Sequence, residues 1–167
     1  GNIVDPEEYF ATHGADALRL YILFMAPPSD GVEWNDGGIE GTKRFLNKLW
    51  DNLLKIINQE DIEKELSEDD KSLDRKINQT IKSVTQHFEK FEFNTAVSDL
   101  MKFNNDLSEY LKHDSILPKE LKDVLIKNIL ILLYPMSPHM ASEIYESYFD
   151  SDISTEKWAN FDDSKLE

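Results

Sequence analysis

The chain has 167 residues, of which 40% are hydrophobic, 31% are charged and none is cysteine. This length suffices for one domain, or one domain with an appendage, and excludes disulfides and thiolate metal sites. The 33 acidic and 18 basic residues give a formal net charge of −15, which opposes non-specific attraction to nucleic acid. No secretory signal opens the sequence, and the longest apolar run, residues 129–134, is too short to cross a membrane. We therefore expect a cytoplasmic protein with no membrane partner.

The distribution of glycine and charge suggests where the chain is divided. All six glycines lie at or before Gly41, and the rest of the chain has none. We place a boundary near Asp36, which separates residues 1–35 from a helical domain over residues 36–150 and a tail over residues 151–167. Residues 60–70 hold seven acids and one lysine, and we interpret this run as a solvated linker.

The front segment carries clear helix signals. Asp5, Pro6 and Glu8 form a capping box that predicts a short helix over residues 6–12, which Gly14 would end. A second helix is expected from Ala15 to Met25, before two consecutive prolines. Its apolar residues run nearly all the way round, so we expect it to be buried on several sides.

Residues 41–57 give the strongest helical pattern in the chain, and Asp36 is expected to cap this helix. The pattern has two faces. Apolar residues at steps of three and four lie on one side: Leu46, Leu49, Trp50, Leu53 and Ile57. The cations Arg44, Lys48 and Lys55 lie on another side, with Asp51 among them. This second face is either an ordinary solvated surface or a cationic contact surface, and the residues alone favour the former.

Four further helical patterns follow. The first has inward residues stepping from Leu73 to Phe91, and the second starts at Phe93 or Asn94 and runs to Leu111. Pro118 opens the third, which ends in the apolar residues 129–133, and Pro138 starts the fourth after Ser137. With the helix over residues 41–57 these patterns predict an all-α, up-down bundle of about five helices, preceded by a short and mostly helical segment.

No constellation of catalytic residues is found. The sequence lacks a glycine-rich phosphate loop, a cysteine nucleophile and a zinc-protease motif, and we predict no catalytic residue and no metal site in it. His139 and Glu143 could share a metal ion, but two ligands without a third favour a histidine in the first turn of a buried helix. Trp34 and Trp158 lie in irregular segments where an aromatic ring can stack on a base, although core anchoring is the favoured interpretation.

The first 50 residues resemble the part of a class I leucyl-tRNA synthetase that follows its signature lysine loop. Gly1 and Asn2 correspond to the end of that motif, and residues 14–19 (GADALR) to the helix behind it. Valyl and isoleucyl enzymes share several of these elements, whereas residues 26–28 (APP) and 33–36 (EWND) are similar to the leucyl enzyme. Residues 134–143 (YPMSPHMASE) resemble a segment that joins the last helices of the anticodon-binding domain in this class.

This resemblance implies that the chain is a piece of a larger enzyme. The nucleotide fold, the editing domain and the signature lysines would precede residue 1, so the chain alone is expected to be inactive and to hold no cofactor. The parent enzyme would use ATP with Mg²⁺ to join leucine to tRNA(Leu). Gly1 and Asn2 would lie near ATP only in that intact enzyme.

The resemblance also suggests which residues contact the RNA. Residues 1–35 would be the stem-contact segment at the end of the catalytic domain, and residues 36–150 the anticodon-binding bundle. Contacts to the tRNA backbone are expected from a few cations and one supporting tryptophan: Lys43, Arg44, Lys48, Lys55 and Trp34. Arg19 is a further candidate, the alternative being an ion pair with Asp16.

Two alternatives to this interpretation remain open. The chain could be an acidic helical module that binds proteins, or the same region of a valyl- or isoleucyl-tRNA synthetase. The apolar residues of the second helix would pack against the catalytic domain in an intact enzyme. In this chain we expect residues 18–25 either to fold onto the bundle or to cause self-association.

Overall fold

The structure is a computed structural model that describes residues 14–25 and 36–167. The helix predicted over residues 6–12, with its capping box, lies outside these residues. The described residues form six α-helices and two short 3-10 turns, without any strand, which confirms the predicted all-α bundle. The helices are α1 (Ala15–Met25), α2 (Asp36–Ile57), α3 (Glu68–Glu89), α4 (Phe93–Leu111), α5 (Lys119–Leu133) and α6 (Pro138–Phe149), followed by 3-10 turns at Ile153–Thr155 and Asp163–Lys165.

Helix α2 begins at Asp36, five residues before the start of the predicted pattern. Four of the five predicted inward residues, Leu46 to Leu53, are at most 2% exposed. The fifth, Ile57, is partly buried and packs against the core, while its neighbour Ile56 is fully buried. Asn52 is buried in the same stripe, where its side-chain amide donates to Asn104 Oδ1 (2.8 Å) and to Ser108 Oγ (2.9 Å).

These side-chain contacts also fix the relative direction of α2 and α4. Asn52 of α2 meets Asn104 and Ser108 of α4, and further along the chain Gln59 Nε2 donates to the carbonyl oxygen of Ser115 (2.9 Å). Positions that advance together along both helices mean that the helices run in the same direction. The first turns of α2 therefore lie at the same end of the bundle as the turn that joins α3 to α4.

Helices α3 and α4 form an antiparallel hairpin. Asp70, near the start of α3, accepts a hydrogen bond from the Tyr110 hydroxyl near the end of α4 (2.7 Å), and Ser83 donates to Asp99 (2.9 Å). Phe91 was expected to face inward, but it is 69% exposed with a φ of 57°. The prediction fails because α3 ends at Glu89, and the three-residue step was carried past the helix end.

Helix α5 lies centrally, because the whole apolar run over residues 129–133 is buried as predicted. Val124 is one of the apolar residues that the sequence pattern of this helix places inward, but it is 45% exposed. Helix α6 begins at Pro138 as predicted. The hydroxyl of Ser137 does not cap that helix, since it donates to the carboxylate of Asp16 instead (2.8 Å).

Asp16 joins the first described helix to the last. Its side chain is 1% exposed and accepts hydrogen bonds at the N-terminus of α6 from the backbone of Met140 (2.7 Å) and of His139 (3.2 Å). The ring nitrogen Nδ1 of His139 lies 2.8 Å from the same carboxylate. A negative charge is stabilised there by the free N–H groups and the dipole of the helix. Asp16 is thereby held to residues that lie 121 to 124 positions later in the chain.

Helix α1 packs onto the bundle, which is one of the two outcomes expected for residues 18–25. Ala17, Leu20 and Tyr21 are fully buried, while Leu18 and Ile22 stay 39% and 50% exposed. The Tyr21 ring lies directly over Gly38 of α2, where any side chain atom would collide with it. A glycine at this position lets the two helices approach closely.

The acidic run over residues 60–70 is not simply a solvated linker. Asp70 is fully buried, forms a capping box with Ser67 and meets Lys64 Nζ at 2.7 Å. Asp61 pairs with Lys122, whose side chain is only 1% exposed, at 2.9 Å. The Lys122 ammonium also donates to the carbonyl oxygen of Gln59 (2.8 Å). The connection between α2 and α3 is thus tied to α5 through the buried Lys122, and the start of α3 is tied to α4 through Asp70 and Tyr110.

The C-terminal tail folds back along α3. Asp162 N donates to Asn78 Oδ1 (2.8 Å), and Lys165 pairs with Asp74 (3.0 Å). The Trp158 indole N–H donates to the hydroxyl of Thr85 (2.9 Å), and its ring meets Phe88 edge to face. Trp158 thus anchors the tail to α3 from a position that is 37% exposed, and not within the core as the favoured interpretation expected.

Replacing Asp16 by alanine is expected to destabilise the chain by about 3 to 5 kcal/mol. The substitution leaves the hydroxyl of Ser137 and the backbone N–H of Met140 buried without an acceptor. Chemical unfolding by urea measures the difference. The control is Glu146→Ala on the exposed side of α6, which should change stability by less than about 0.5 kcal/mol; equal stability of both variants would contradict the role of Asp16.

Acid sensitivity is expected to depend on Asp70. Burial alone would raise the pKa of this carboxyl, but hydrogen bonds from Lys64, Tyr110 and Ser67 outweigh burial and lower it. A lowered folded-state pKa means that the stabilisation is present above the unfolded-state value of about 3.9 and disappears as the pH falls through the folded-state pKa. Asp70→Asn should lose about 2 to 4 kcal/mol at pH 7 and show a flatter fall in stability below about pH 4.

The neighbouring exposed carboxylate provides the control for this experiment. Asp69→Asn removes one charge from the same turn but only an exposed contact to His113 at 3.4 Å. Urea unfolding of both variants between pH 7 and pH 2 should separate them. If Asp69→Asn and Asp70→Asn gave the same pH profile, the buried network would not be the cause.

Candidate nucleic-acid interface

The outward side of α2 carries three cations, Arg44, Lys48 and Lys55, which we call the α2 ridge. The apolar stripe of the helix faces the core, so these side chains point away from it, and all three residues are exposed. From Arg44 to Lys55 the ridge rises about 16 Å along the helix axis. Within the described part of the chain, no carboxylate or carbonyl group forms an ion pair or hydrogen bond with any of the three side chains.

Acidic side chains moderate the ridge at two positions. Asp51 is exposed between Lys48 and Lys55, so three positive charges and one negative charge leave the face at +2. Lys43, also predicted to contact RNA, lies one residue before the ridge, where it pairs with Glu40 at 3.5 Å. Both partners are solvent-exposed, and such a pair stabilises a helix only slightly, so Lys43 remains available to a stronger anion.

Most other cations of the chain are engaged within the structure. Lys76, Lys127 and Lys165 pair with carboxylates from distant positions, Lys64 pairs with the nearby Asp70, and the buried Lys122 meets Asp61. Exposed cations without such a contact among the described residues occur elsewhere as well, at Lys90, Lys102 and Lys157. The α2 ridge differs from these single positions because its three cations share one face of a single rigid helix.

Arg19 does not form the ion pair that was the alternative to RNA contact. Its Nε donates to the carbonyl oxygen of Pro135 in the connection between α5 and α6 (2.8 Å), and the Asp16 carboxylate is occupied by the start of α6. Arg19 is nevertheless exposed, and this bond uses one of the five N–H donors of a guanidinium group. Sequence periodicity could not detect a contact 116 residues away.

The remaining predicted site residues fall into two groups. Gly1, Asn2 and Trp34 lie outside the described residues. His139 is in the first turn of α6 as expected, and its side chain is 59% exposed. It contacts Asp16, and no group of three or more potential metal ligands occurs among the residues that the structure describes.

Outside the α2 ridge, hydrogen-bonded pairs of a tyrosine and a carboxylate stabilise the fold. Burial and the hydrogen bond to Asp123 raise the pKa of Tyr148 to about 12, and burial with the hydrogen bond to Asp70 raises the pKa of Tyr110 as well. Both phenols therefore stay protonated as hydrogen-bond donors at neutral pH. None of the helices that the structure describes has the length and apolar character required to cross a membrane.

Comparison with known proteins assigns the fold to a family. Residues 70–167 match the model of the anticodon-binding domain of tRNA ligase. Leucine–tRNA ligases of Fervidobacterium nodosum and Thermosipho melanesiensis are 42% and 43% identical to the chain, over 99% of its length and 21% of theirs. The chain thus spans about a fifth of the length of these relatives.

A solved structure agrees with this assignment over the whole chain. The ternary complex of an Agrobacterium radiobacter LeuRS with tRNA and LeuAMS gives a TM-score of 0.74 at 26% identity, covering 100% of this chain and 22% of the other. The resemblance to leucyl-tRNA synthetases is confirmed by these matches. The α2 ridge lies before the residues matched by the family model but within the alignments to the relatives. The chain belongs to the family of anticodon-binding domains of tRNA ligases.

Proposed function

We propose that this chain is the tRNA-contacting part of a leucine–tRNA ligase and that the α2 ridge is the contact surface. The observation that carries the proposal is the ridge itself, three exposed cations on one face of a helix in a chain of net charge −15. The leucine–tRNA ligases to which the chain is similar support the choice of partner. They favour neither a protein-binding module nor the valyl or isoleucyl alternative.

Cations on a helix face contact RNA through its phosphates. Such contacts position the sugar-phosphate backbone without reading the sequence of the bases. At physiological salt, charges further away than about 8 Å are largely screened. The ridge therefore attracts a nearby strand even though the chain as a whole is acidic, and the acidic surface elsewhere disfavours other binding positions.

The packed face of α2 gives this contact its precision. Leu46, Leu49, Trp50 and Leu53 are at most 2% exposed, and Asn52 is held by two hydrogen bonds to α4. Rotation of the helix about its axis would expose this stripe. The three cations therefore keep a fixed direction relative to the bundle. Lys43, Arg19 and Trp34 remain further proposed RNA contacts, as the resemblance implies.

The activity of the whole enzyme is part of the same proposal. It would join leucine to tRNA(Leu) at the expense of ATP with Mg²⁺, in the cytoplasm, with Gly1 and Asn2 close to the ATP phosphates. Self-association through residues 18–25 also stays a proposal. Since most of α1 packs on the bundle, the apolar surface available for it is chiefly Leu18 and Ile22.

Removing cations from the ridge is expected to change the salt dependence of RNA binding. Each phosphate contact contributes a slope of about −0.7 for single-stranded and −0.9 for duplex nucleic acid in a plot of log affinity against log salt. The double variant Arg44→Gln and Lys48→Gln should therefore reduce the slope for a tRNA(Leu) transcript by about 1.4 to 1.8. Fluorescence titration at salt concentrations between about 25 and 200 mM measures this slope.

A charge-matched control separates a local contact from a change in net charge. Lys71→Gln with Lys112→Gln removes the same two charges from exposed positions that pair with Glu68 and Glu109. This variant should keep the slope of the wild type. Equal slopes for both double variants, or no binding of the transcript by the wild type at any salt, would refute the proposal.

The chain alone is expected to show no leucine-dependent exchange of pyrophosphate into ATP. The relatives are about five times longer, and we assign amino-acid activation to the other four fifths. The assay uses the 167-residue chain with leucine, ATP and Mg²⁺, and a full-length leucine–tRNA ligase as positive control. A measurable exchange rate from the chain would contradict this division of roles.

A further inference from the structure

Phe91 occupies an unusual position at the turn between α3 and α4. It is 69% exposed, and its φ of 57° places it in the left-handed region. The backbone N–H of Glu92 donates to the carbonyl oxygen of His87 (2.8 Å), and that of Phe91 to the carbonyl oxygen of Phe88 (3.1 Å). This pair of bonds is the Schellman arrangement, in which the left-handed position is usually glycine.

The local backbone does not explain an aromatic residue there. The other two described residues at positive φ are Asp114 and Asp150, whose short polar side chains tolerate this conformation. A bulky side chain at such a position is strained, and strain of this kind occurs mainly where function requires it. Because Phe91 is mostly solvent-exposed, burial contributes little that would offset the strain.

Neighbouring rings nevertheless hold the Phe91 side chain in a defined place. Its ring meets Phe93 edge to face at 6.1 Å, Phe93 lies 5.4 Å from Phe88, and Phe88 lies 5.6 Å from Trp158. The Trp158 indole is itself fixed to Thr85. An aromatic row thus extends from the tail, across the end of α3, to an exposed ring at the tip of the hairpin.

We infer that Phe91 stacks on an unpaired base of the RNA that the α2 ridge holds, an inference that rests on the proposed function. The tip lies at the same end of the bundle as the first turns of α2, because α2 and α4 run in the same direction. A base can stack on any aromatic ring regardless of its sequence identity.

The charge around the tip favours a base over other occupants. Glu89, Lys90 and Glu92 are all exposed and together carry −1. This charge disfavours a direct phosphate contact and an anionic lipid surface, and it repels the same tip of a second copy. The uncharged face of an unpaired base meets no such repulsion. The contact should therefore add affinity without adding salt dependence, in contrast to the ridge.

The test compares Phe91→Gly, Phe91→Leu and Phe91→Trp in titrations of the 167-residue chain with a tRNA(Leu) transcript. Stacking predicts that glycine and leucine weaken binding about 5- to 100-fold at every salt concentration with an unchanged slope, and that tryptophan preserves it. Against a fully paired RNA duplex, all four proteins should bind alike. Phe91→Gly should keep the unfolding temperature of the wild type, since relief of the left-handed strain offsets the lost ring contact.

The matched control is Ile116→Gly, which removes an exposed apolar side chain (37%) after the C-terminal end of α4. It should bind the transcript as the wild type does. Wild-type affinity of Phe91→Gly or Phe91→Leu, an equal loss with the duplex, or a Phe91-dependent dimer in sedimentation would overturn the inference. In any of these cases, the proposed function still stands if the ridge variant reduces the salt slope as expected. If the wild type binds no transcript at all, both the inference and the proposed function are refuted.

Discussion

The burial of one face of α2 is the constraint on which the rest of the structure depends. Five apolar residues from Leu46 to Ile56 are at most 2% exposed and belong to the hydrophobic core, so the helix cannot rotate without exposing them. Burying a side chain of this size is worth about 1.5 to 3 kcal/mol each, before the entropy of ordering the chain is subtracted. The opposite face is thereby fixed in direction, and it holds the cations that we assign to RNA contact.

The sequence predicts this helix well because its signal is local. Apolar residues at steps of three and four describe one face of any helix, and the alternation with Arg44, Lys48 and Lys55 identifies the other face. The all-apolar end of α5 is predicted for the same reason, since a run without polar interruption has to lie centrally. The cap predicted at Asp36 lies within one residue of the observed start of α2, and Gly38 in its first turn serves the close packing of Tyr21.

Features that depend on distant partners were not predictable. The acidic run over residues 60–70 is polar in composition, but Asp70 is buried because Tyr110 and Lys64 satisfy its carboxylate. Arg19 was compared only with Asp16 on its own helix, whereas its partner is a carbonyl group 116 residues away. Phe91 fits the apolar step of α3, yet the helix ends two residues earlier, and no glycine marks that end. In each case the neighbours in sequence suggest one environment, while the partners in space determine another.

The proposed interface and the fold are linked at one end of the bundle. Tyr21 of α1 lies on Gly38 in the first turn of α2, and the Thr42 hydroxyl, one turn later, donates to the carbonyl oxygen of Ala17 (3.2 Å). Arg44 lies two residues after Thr42 on the chain. A strand bound at Arg44 therefore acts on a part of α2 whose other side is packed against α1. Because Asp16 fixes α1 to α6, a displacement there has to move α1 and α6 with α2 or break a buried hydrogen bond. In the proposed complex, this connection would favour a rigid-body displacement of the three helices over a local adjustment of α2.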